Sequence, residues 1–102
     1  MIKLIEQHRA ELEELCRQYR VKTLEIFGST ANGAWDPSGS DLDFLVDFLP
    51  MEPSRHSKAY FGLWFALKEL FQREVDLVET GAVENPYFFS SVNQTREVLY
   101  AA

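Results

Sequence analysis

Residues 27–47 read FGSTANGAWDPSGSDLDFLVD, and this stretch decides the architecture. It opens on a Gly28-Ser29 turn and closes on an apolar run that holds Asp41 and Asp43 one residue apart. In a strand, alternate side chains take opposite faces. Asp41, Asp43 and Asp47 therefore share one face, and Leu42, Phe44, Val46 and Phe48 share the other. The apolar set predicts a strand lying on a core. The acidic set needs a reason, because aspartate is depleted in strands. Neighbours at i and i+2 stand about 6.6 Å apart along a strand, where two carboxylates repel by roughly 2–3 kcal/mol at an effective dielectric of about 20. A divalent cation turns that cost into a gain, and carboxylate oxygens suit hard Mg2+.

Upstream, residues 21–27, VKTLEIF, predict a first strand with Leu24 and Ile26 on the core face and Glu25 and Phe27 on the other. Gly28-Ser29 ends it. Residues 29–34 predict a short helix; the N–H groups of Gly28, Ser29 and Thr30, with the Ser29 hydroxyl, then face the space above the strand as an anion site. In the loop WDPSG at 35–39, Asp36 reads as a turn former ahead of Pro37. Residues 40–48 predict the second strand, and 50–53, PMEP, a linker.

Residues 2–20 predict one amphipathic helix, with Ile2, Ile5, Leu12, Leu15, Cys16 and Tyr19 recurring at three- and four-residue spacings. His8 has no second ligand at helical spacing, and Cys16 reads as a small core residue. Residues 56–72 predict a second long helix, capped by Ser54, with an apolar stripe of Tyr60, Leu63, Trp64, Leu67, Leu70 and Phe71. Phe61 and Phe65 widen the stripe beyond what one sheet face needs, which predicts a surface for a partner. His56 reads as a surface residue. Residues 74–79, EVDLVE, predict a third strand in which Asp76 alternates against Val75 and Leu77 and joins the acidic face. Residues 86–100, PYFFSSVNQTREVLY, predict a C-terminal helix opened by Asn85-Pro86. The order predicts a small two-layer α/β (α+β) fold: a mixed sheet of three strands or slightly more, helices on one face, and residues 1–102 as one domain.

Totals set bounds on function. A net charge of -6 over 102 residues argues against stable direct binding of nucleic acid, which calls for a basic surface. It leaves room for a nucleotide accompanied by metal ions, because cations reverse the local sign. The single cysteine excludes an intrachain disulfide and a thiolate zinc site. The first fifteen residues carry charges throughout, unlike a signal peptide, and no apolar run approaches the ~20 residues of a membrane span. The expectation is a soluble cytoplasmic protein with no membrane partner. Other phosphate and metal motifs fail on spacing: GSTANG lacks the lysine of a Walker A loop, no G-x-G-x-x-G is present, and DLDFLVDF has apolar residues where an EF-hand needs oxygens.

At these residues the chain resembles the minimal nucleotidyltransferases of the DNA polymerase beta superfamily. Their pattern is Gly-Ser, a short helix ending in Gly, a loop, Ser-Asp-x-Asp before apolar residues, and a third Asp on a later strand. Here it reads GSTANG, AWDPSG, SDLDFLV and EVDLV, and REVLY looks like the closing segment. The resemblance covers nearly the whole chain. One position departs: the family commonly has Arg two residues after the Thr30 position, and this chain has Asn32, which removes a positive charge near the expected phosphate site.

The resemblance implies that Asp41, Asp43 and Asp76 are catalytic and hold two Mg2+ ions about 3.5–4 Å apart. It implies that Gly28, Ser29 and Ser40 bind the nucleotide, Gly28 and Ser29 at the β- and γ-phosphates of ATP. It implies AMP transfer to a hydroxyl, a tyrosine of a HEPN-type ribonuclease toxin, with this chain as the antitoxin. Larger relatives carry their acceptor-binding domains in the same chain, which this one is too short to do. Trp35, Trp64, Phe88 and Phe89 would suit a partner interface, with core packing the role of most. The alternatives are a non-catalytic antitoxin that neutralises by contact alone, a nucleotidyltransferase acting on a small hydroxylated molecule, and a structural domain with a wet acidic face.

Overall fold

Leu42, Phe44, Val46 and Phe48 are all buried, as the alternation in that stretch predicts. They lie in the second strand of a chain that runs α1 (Lys3–Gln7), α2 (Arg9–Gln18), β1 (Val21–Ile26), α3 (Ser29–Asn32), β2 (Leu42–Phe48), α4 (Pro53–Phe71), β3 (Val75–Glu79) and β4 (Glu97–Ala101). The structure is a computed structural model and describes residues 2–33, 35–82 and 95–102. The four strands form one sheet in the order β3-β2-β1-β4. β2 and β3 are parallel, joined across the sheet by α4, and the other pairings are antiparallel. The sheet is therefore mixed, as expected, with one strand more than the minimum. No helix among the described residues is long and apolar enough to cross a membrane.

The added strand corrects the C-terminal reading. Residues 97–100 are not helical: Glu97–Ala101 pairs with β1, and Leu99 is its one buried residue. Five residues are too few to separate a period of 2 from one of 3.6. What settles the matter is β1, whose outer backbone groups would otherwise be an unpaired edge. The Asn85-Pro86 start and the apolar contacts of Tyr87, Phe88 and Val92 lie outside the described residues.

Two helix boundaries also differ. The single helix read over 2–20 breaks at His8, whose backbone leaves the helical region. The imidazole Nδ1 lies 2.9 Å from the Leu4 carbonyl, and the ring sits edge-on to Phe71 at 5.2 Å, so His8 is a packing residue. α4 starts at Pro53, before the expected position. Glu52 is its N-cap, Ser54 lies inside the first turn, and proline takes the helix start where its missing N–H costs nothing.

The core lies between the helices and one face of the sheet. Leu63, Leu67 and Phe71 of α4, with Ile5, Leu12 and Cys16 of the first two helices, pack on Leu24, Ile26, Phe44 and Leu77. α2 approaches α4 closely at Gly62, where a Cβ would stand 2.5 Å from Tyr19 Cε1. β3 is a sheet edge, and α4 covers it: Trp64 Nε1 donates to the Val75 carbonyl at 2.9 Å and the Tyr60 hydroxyl donates to the Leu77 carbonyl. Trp64 is thus used in packing. Phe61 and Phe65 stay 52% and 58% exposed, so they are the surplus that the sequence predicts.

Leu63→Ala should lower the unfolding free energy by about 2–5 kcal/mol, because its site is fully buried. Phe65→Ala should change it by less than about 0.5 kcal/mol. Urea denaturation of the two variants checks both.

Candidate active site

The parallel register of β2 and β3 sets Asp43 directly opposite Asp76. Cross-strand neighbours share a face, so both side chains point away from the core. Asp41 stands two residues before Asp43 on the same side. Asp43 is half-buried, while Asp41 and Asp76 are exposed. Among the described residues, no cationic side chain or hydrogen-bond donor reaches any of the three carboxylates. Burial pushes the Asp43 carboxyl up to about 6, and the charges of Asp76 and Asp41 push it the same way.

The backbone of Asp43 is clamped on both sides. Its N–H donates to Thr30 Oγ1 at 2.9 Å, and its carbonyl accepts the Phe27 N–H at 3.2 Å. Thr30 is itself buried. Gly28 closes the clamp at φ +59, a conformation that disfavours a side chain, and a Cβ there would stand 2.9 Å from Asp43 Oδ2 and force that carboxylate to shift.

The remaining predicted residues fall around this clamp. The N–H of Gly28, expected to stand open to an anion, donates to Thr95 Oγ1 at 3.1 Å. The N–H groups of Ser29 and Thr30 sit in the first turn of α3, where no i-4 acceptor exists. Ser40 stands immediately before Asp41. Its Oγ accepts the Asp36 N–H at 3.0 Å and its N–H reaches the Asp36 carbonyl at 2.9 Å, which closes the loop ahead of β2. Asp36 is a turn former, as read: its Oδ1 accepts both the N–H and the hydroxyl of Ser38. Trp35 is half-buried under the Arg73 guanidinium, 4.8 Å from its ring.

Three supports were missed in the sequence: the Thr30 hydroxyl, Thr95, and an ion pair on the site face of the sheet. There Glu25, only 7% exposed, accepts from Arg96 Nε at 2.7 Å. Alternation puts Glu25 on that face, but a partner 71 residues away leaves no local signal. Beside it Phe27, Leu45 and Val78 form a second, small apolar cluster. The middle of this face is thus partly dry, while its acidic end is open to water.

The donor set at that end is all oxygen, carries no counter-charge of its own and has one carboxyl already biased toward its neutral form. That fits a hard divalent cation. In the conformation seen, no three acidic, His or Cys side chains among the described residues converge tightly enough to hold one ion. Like charges favour rotamers that part them, and a cation would have to draw them in.

Comparison with known proteins identifies the family. The model of the nucleotidyltransferase domain family matches residues 8–99. The chain belongs to this family. It is an enzyme of the nucleotidyltransferase type. A Methanocaldococcus jannaschii relative bearing the name "Putative protein adenylyltransferase" is 36% identical over 91 residues, which cover 89% of this chain and 86% of that protein. The solved structure of a "putative minimal nucleotidyltransferase" superposes with a TM-score of 0.74 at 28% identity, over 94% of this chain and 95% of that one. The same fold occurs in the tri-AMPylated Shewanella oneidensis HEPN toxin in complex with MNT antitoxin, at a TM-score of 0.65 and 17% identity, over 95% of this chain and 72% of the matched chain.

Because the folded Asp43 titrates at about 6 against 3.8 in the unfolded chain, the native state binds the extra proton between those values. The protein should lose stability as pH rises through that window, with the full cost present above it. Asp43→Asn should therefore raise the melting temperature at about pH 7.5 in EDTA, and the gain should vanish near pH 4. Melts at the two pH values check this, and an equal gain at both contradicts it. Gly28→Ala should leave the protein folded but less stable by about 1–3 kcal/mol, because its φ of 59 and ψ of -142 lie near a region left almost wholly to glycine.

Proposed function

We propose that this nucleotidyltransferase transfers AMP from ATP to a hydroxyl of a protein partner, a tyrosine of a HEPN-type ribonuclease toxin, and so acts as an antitoxin. The observation that carries the reading is the group of three carboxylates beside the Gly28 turn with no cation among the described residues to balance them. The relative bearing the adenylyltransferase name supports the reaction type, and the HEPN–MNT complex of the same fold supports the partner.

In this reading Asp41, Asp43 and Asp76 hold two Mg2+ ions, which would neutralise the triphosphate and lower the pKa of the acceptor hydroxyl. Everything else falls to the chain. Ser29, next to Gly28, cradles the β- and γ-phosphates, and Ser40 fixes the loop that delivers Asp41. The clamp of Thr30 and Phe27 on Asp43 keeps the α-phosphorus in line with the acceptor. The acceptor oxygen bonds to that phosphorus, the bond to the α–β bridging oxygen breaks, and pyrophosphate leaves. The acceptor proton passes to the Asp76 carboxylate. Position and charge supply the catalysis.

ATP labelled at the α-phosphate, incubated with the protein, Mg2+ and its toxin, should label the toxin alone. Asp41→Asn with Asp43→Asn should cut labelling by roughly a thousandfold or more while the protein stays folded. Mg2+ should raise the melting temperature of the wild type and not of that variant. Neutralisation that survives the double substitution would instead establish inhibition by contact. A labelled small molecule formed without any protein acceptor would move the substrate to that class.

A further inference from the structure

At the end of the sheet remote from Asp43, where α2 leads into β1 and β2 leads into α4, the surface forms an open hollow of about 480 Å³. The length of β2 separates it from the carboxylates, roughly 20 Å at the rise of a strand. Three cations line it, Arg20, Arg55 and Lys58, against one acid, Glu52. That concentration is out of keeping with a chain of net charge -6. Elsewhere the basic residues are mostly engaged: Arg9, Arg17, Lys68 and Arg96 pair with carboxylates, and Arg73 lies on Trp35 and donates to the Pro37 carbonyl. Arg20, Arg55 and Lys58 have no ion-pair partner among the described residues.

Backbone geometry adds to this. Arg20 sits at φ +57, a left-handed position just past a helix end that glycine fills most cheaply. Its carbonyl accepts the Leu49 N–H at 3.0 Å, which ties it to the end of β2. A long cationic side chain at a glycine position calls for a use of that side chain. The first turn of the 19-residue α4 supplies another wall, with the positive end of the helix dipole beside the arginines. Gln18 adds a polar group, and the rest of the lining is apolar. Tyr19 has its ring fixed against Gly62, and Met51 and Ala59 stand beside it. Unpaired cations grouped around a flat ring and a soft thioether match an anion that carries a planar group.

We propose that this hollow is a second ligand site, independent of the carboxylate centre, that takes a phosphate-bearing small molecule of nucleotide size without a metal ion. Its volume falls within the range of small-molecule sites. The two sites have opposite metal dependence. The acidic centre repels a bare phosphate, and the basic hollow attracts one.

Calorimetry on the whole chain in EDTA, with AMP and separately with inorganic pyrophosphate, separates them. Both ligands should bind saturably, and more weakly as NaCl is added. Arg55→Gln with Lys58→Gln, both exposed helix positions, should weaken AMP binding roughly tenfold or more. Arg20→Gly should weaken it too while raising the melting temperature, a combination that a purely structural arginine would not produce. Asp41→Asn with Asp43→Asn should leave binding in EDTA unchanged, so failure here and failure of the transfer reaction are distinguishable. Absence of saturable binding up to about 1 mM overturns the proposal. So does binding that the arginine and lysine variants keep. Binding of pyrophosphate without AMP overturns the nucleotide-sized ligand.

Discussion

Asp43 and Asp76 stand side by side because β2 and β3 are parallel and in one particular register, and much of the molecule serves to hold that register. The two strands bear opposite demands on their two faces. Leu42, Phe44, Val75 and Leu77 are dry, while the residues between them are charged. A slip of one residue would send the acids into the core and the apolar set into water, so burial on one face enforces proximity on the other. The repulsion among the carboxylates is borne by packing several residues away. The Asp43 backbone is clamped by Thr30 and Phe27, which fixes the main chain and leaves the side chain free.

That division of labour explains which features were legible. Alternation is a strong local signal, so the strands, their core faces and the acidic face could be read from SDLDFLVDF and EVDLVE. The sharing of a face by Asp41 and Asp43 needed only the geometry of one strand. Their meeting with Asp76 needed a register, which follows from the sheet rather than from either segment. Residues 97–100 read as helix in isolation, because their pairing partner lies more than seventy residues upstream. The Glu25–Arg96 pair was hidden for the same reason. Errors at His8 and Pro53 are of a different kind. A single imidazole that finds Leu4 and Phe71 can break a helix whose apolar spacing continues, and a proline that looks like a linker can equally be the first residue of a helix.

Glycine has two distinct duties here. Gly28 is needed for its positive φ and because the Asp43 carboxylate fills the space a Cβ would take. Gly62 has ordinary helical geometry and is needed because Tyr19 lies against it. The first position bears on the acidic centre and the second on the joint between α2 and α4 that shapes the basic hollow. Neither duty can be inferred from the residue type alone.

The charge of the protein is therefore not spread but sorted. The start of β2 and β3 gathers unbalanced acids, and the turn from β2 into α4, beside the start of β1, gathers unbalanced bases. A nucleoside triphosphate approaching alone is repelled at the first and drawn to the second. With divalent cations bound to it, its net charge falls and the acidic end becomes the favourable one. Ionic conditions thus decide where on one small sheet a phosphate is most stable. A chain whose -6 net charge was evenly distributed would repel it everywhere alike, which is why the sorting, and not the total, is the quantity that bears on function.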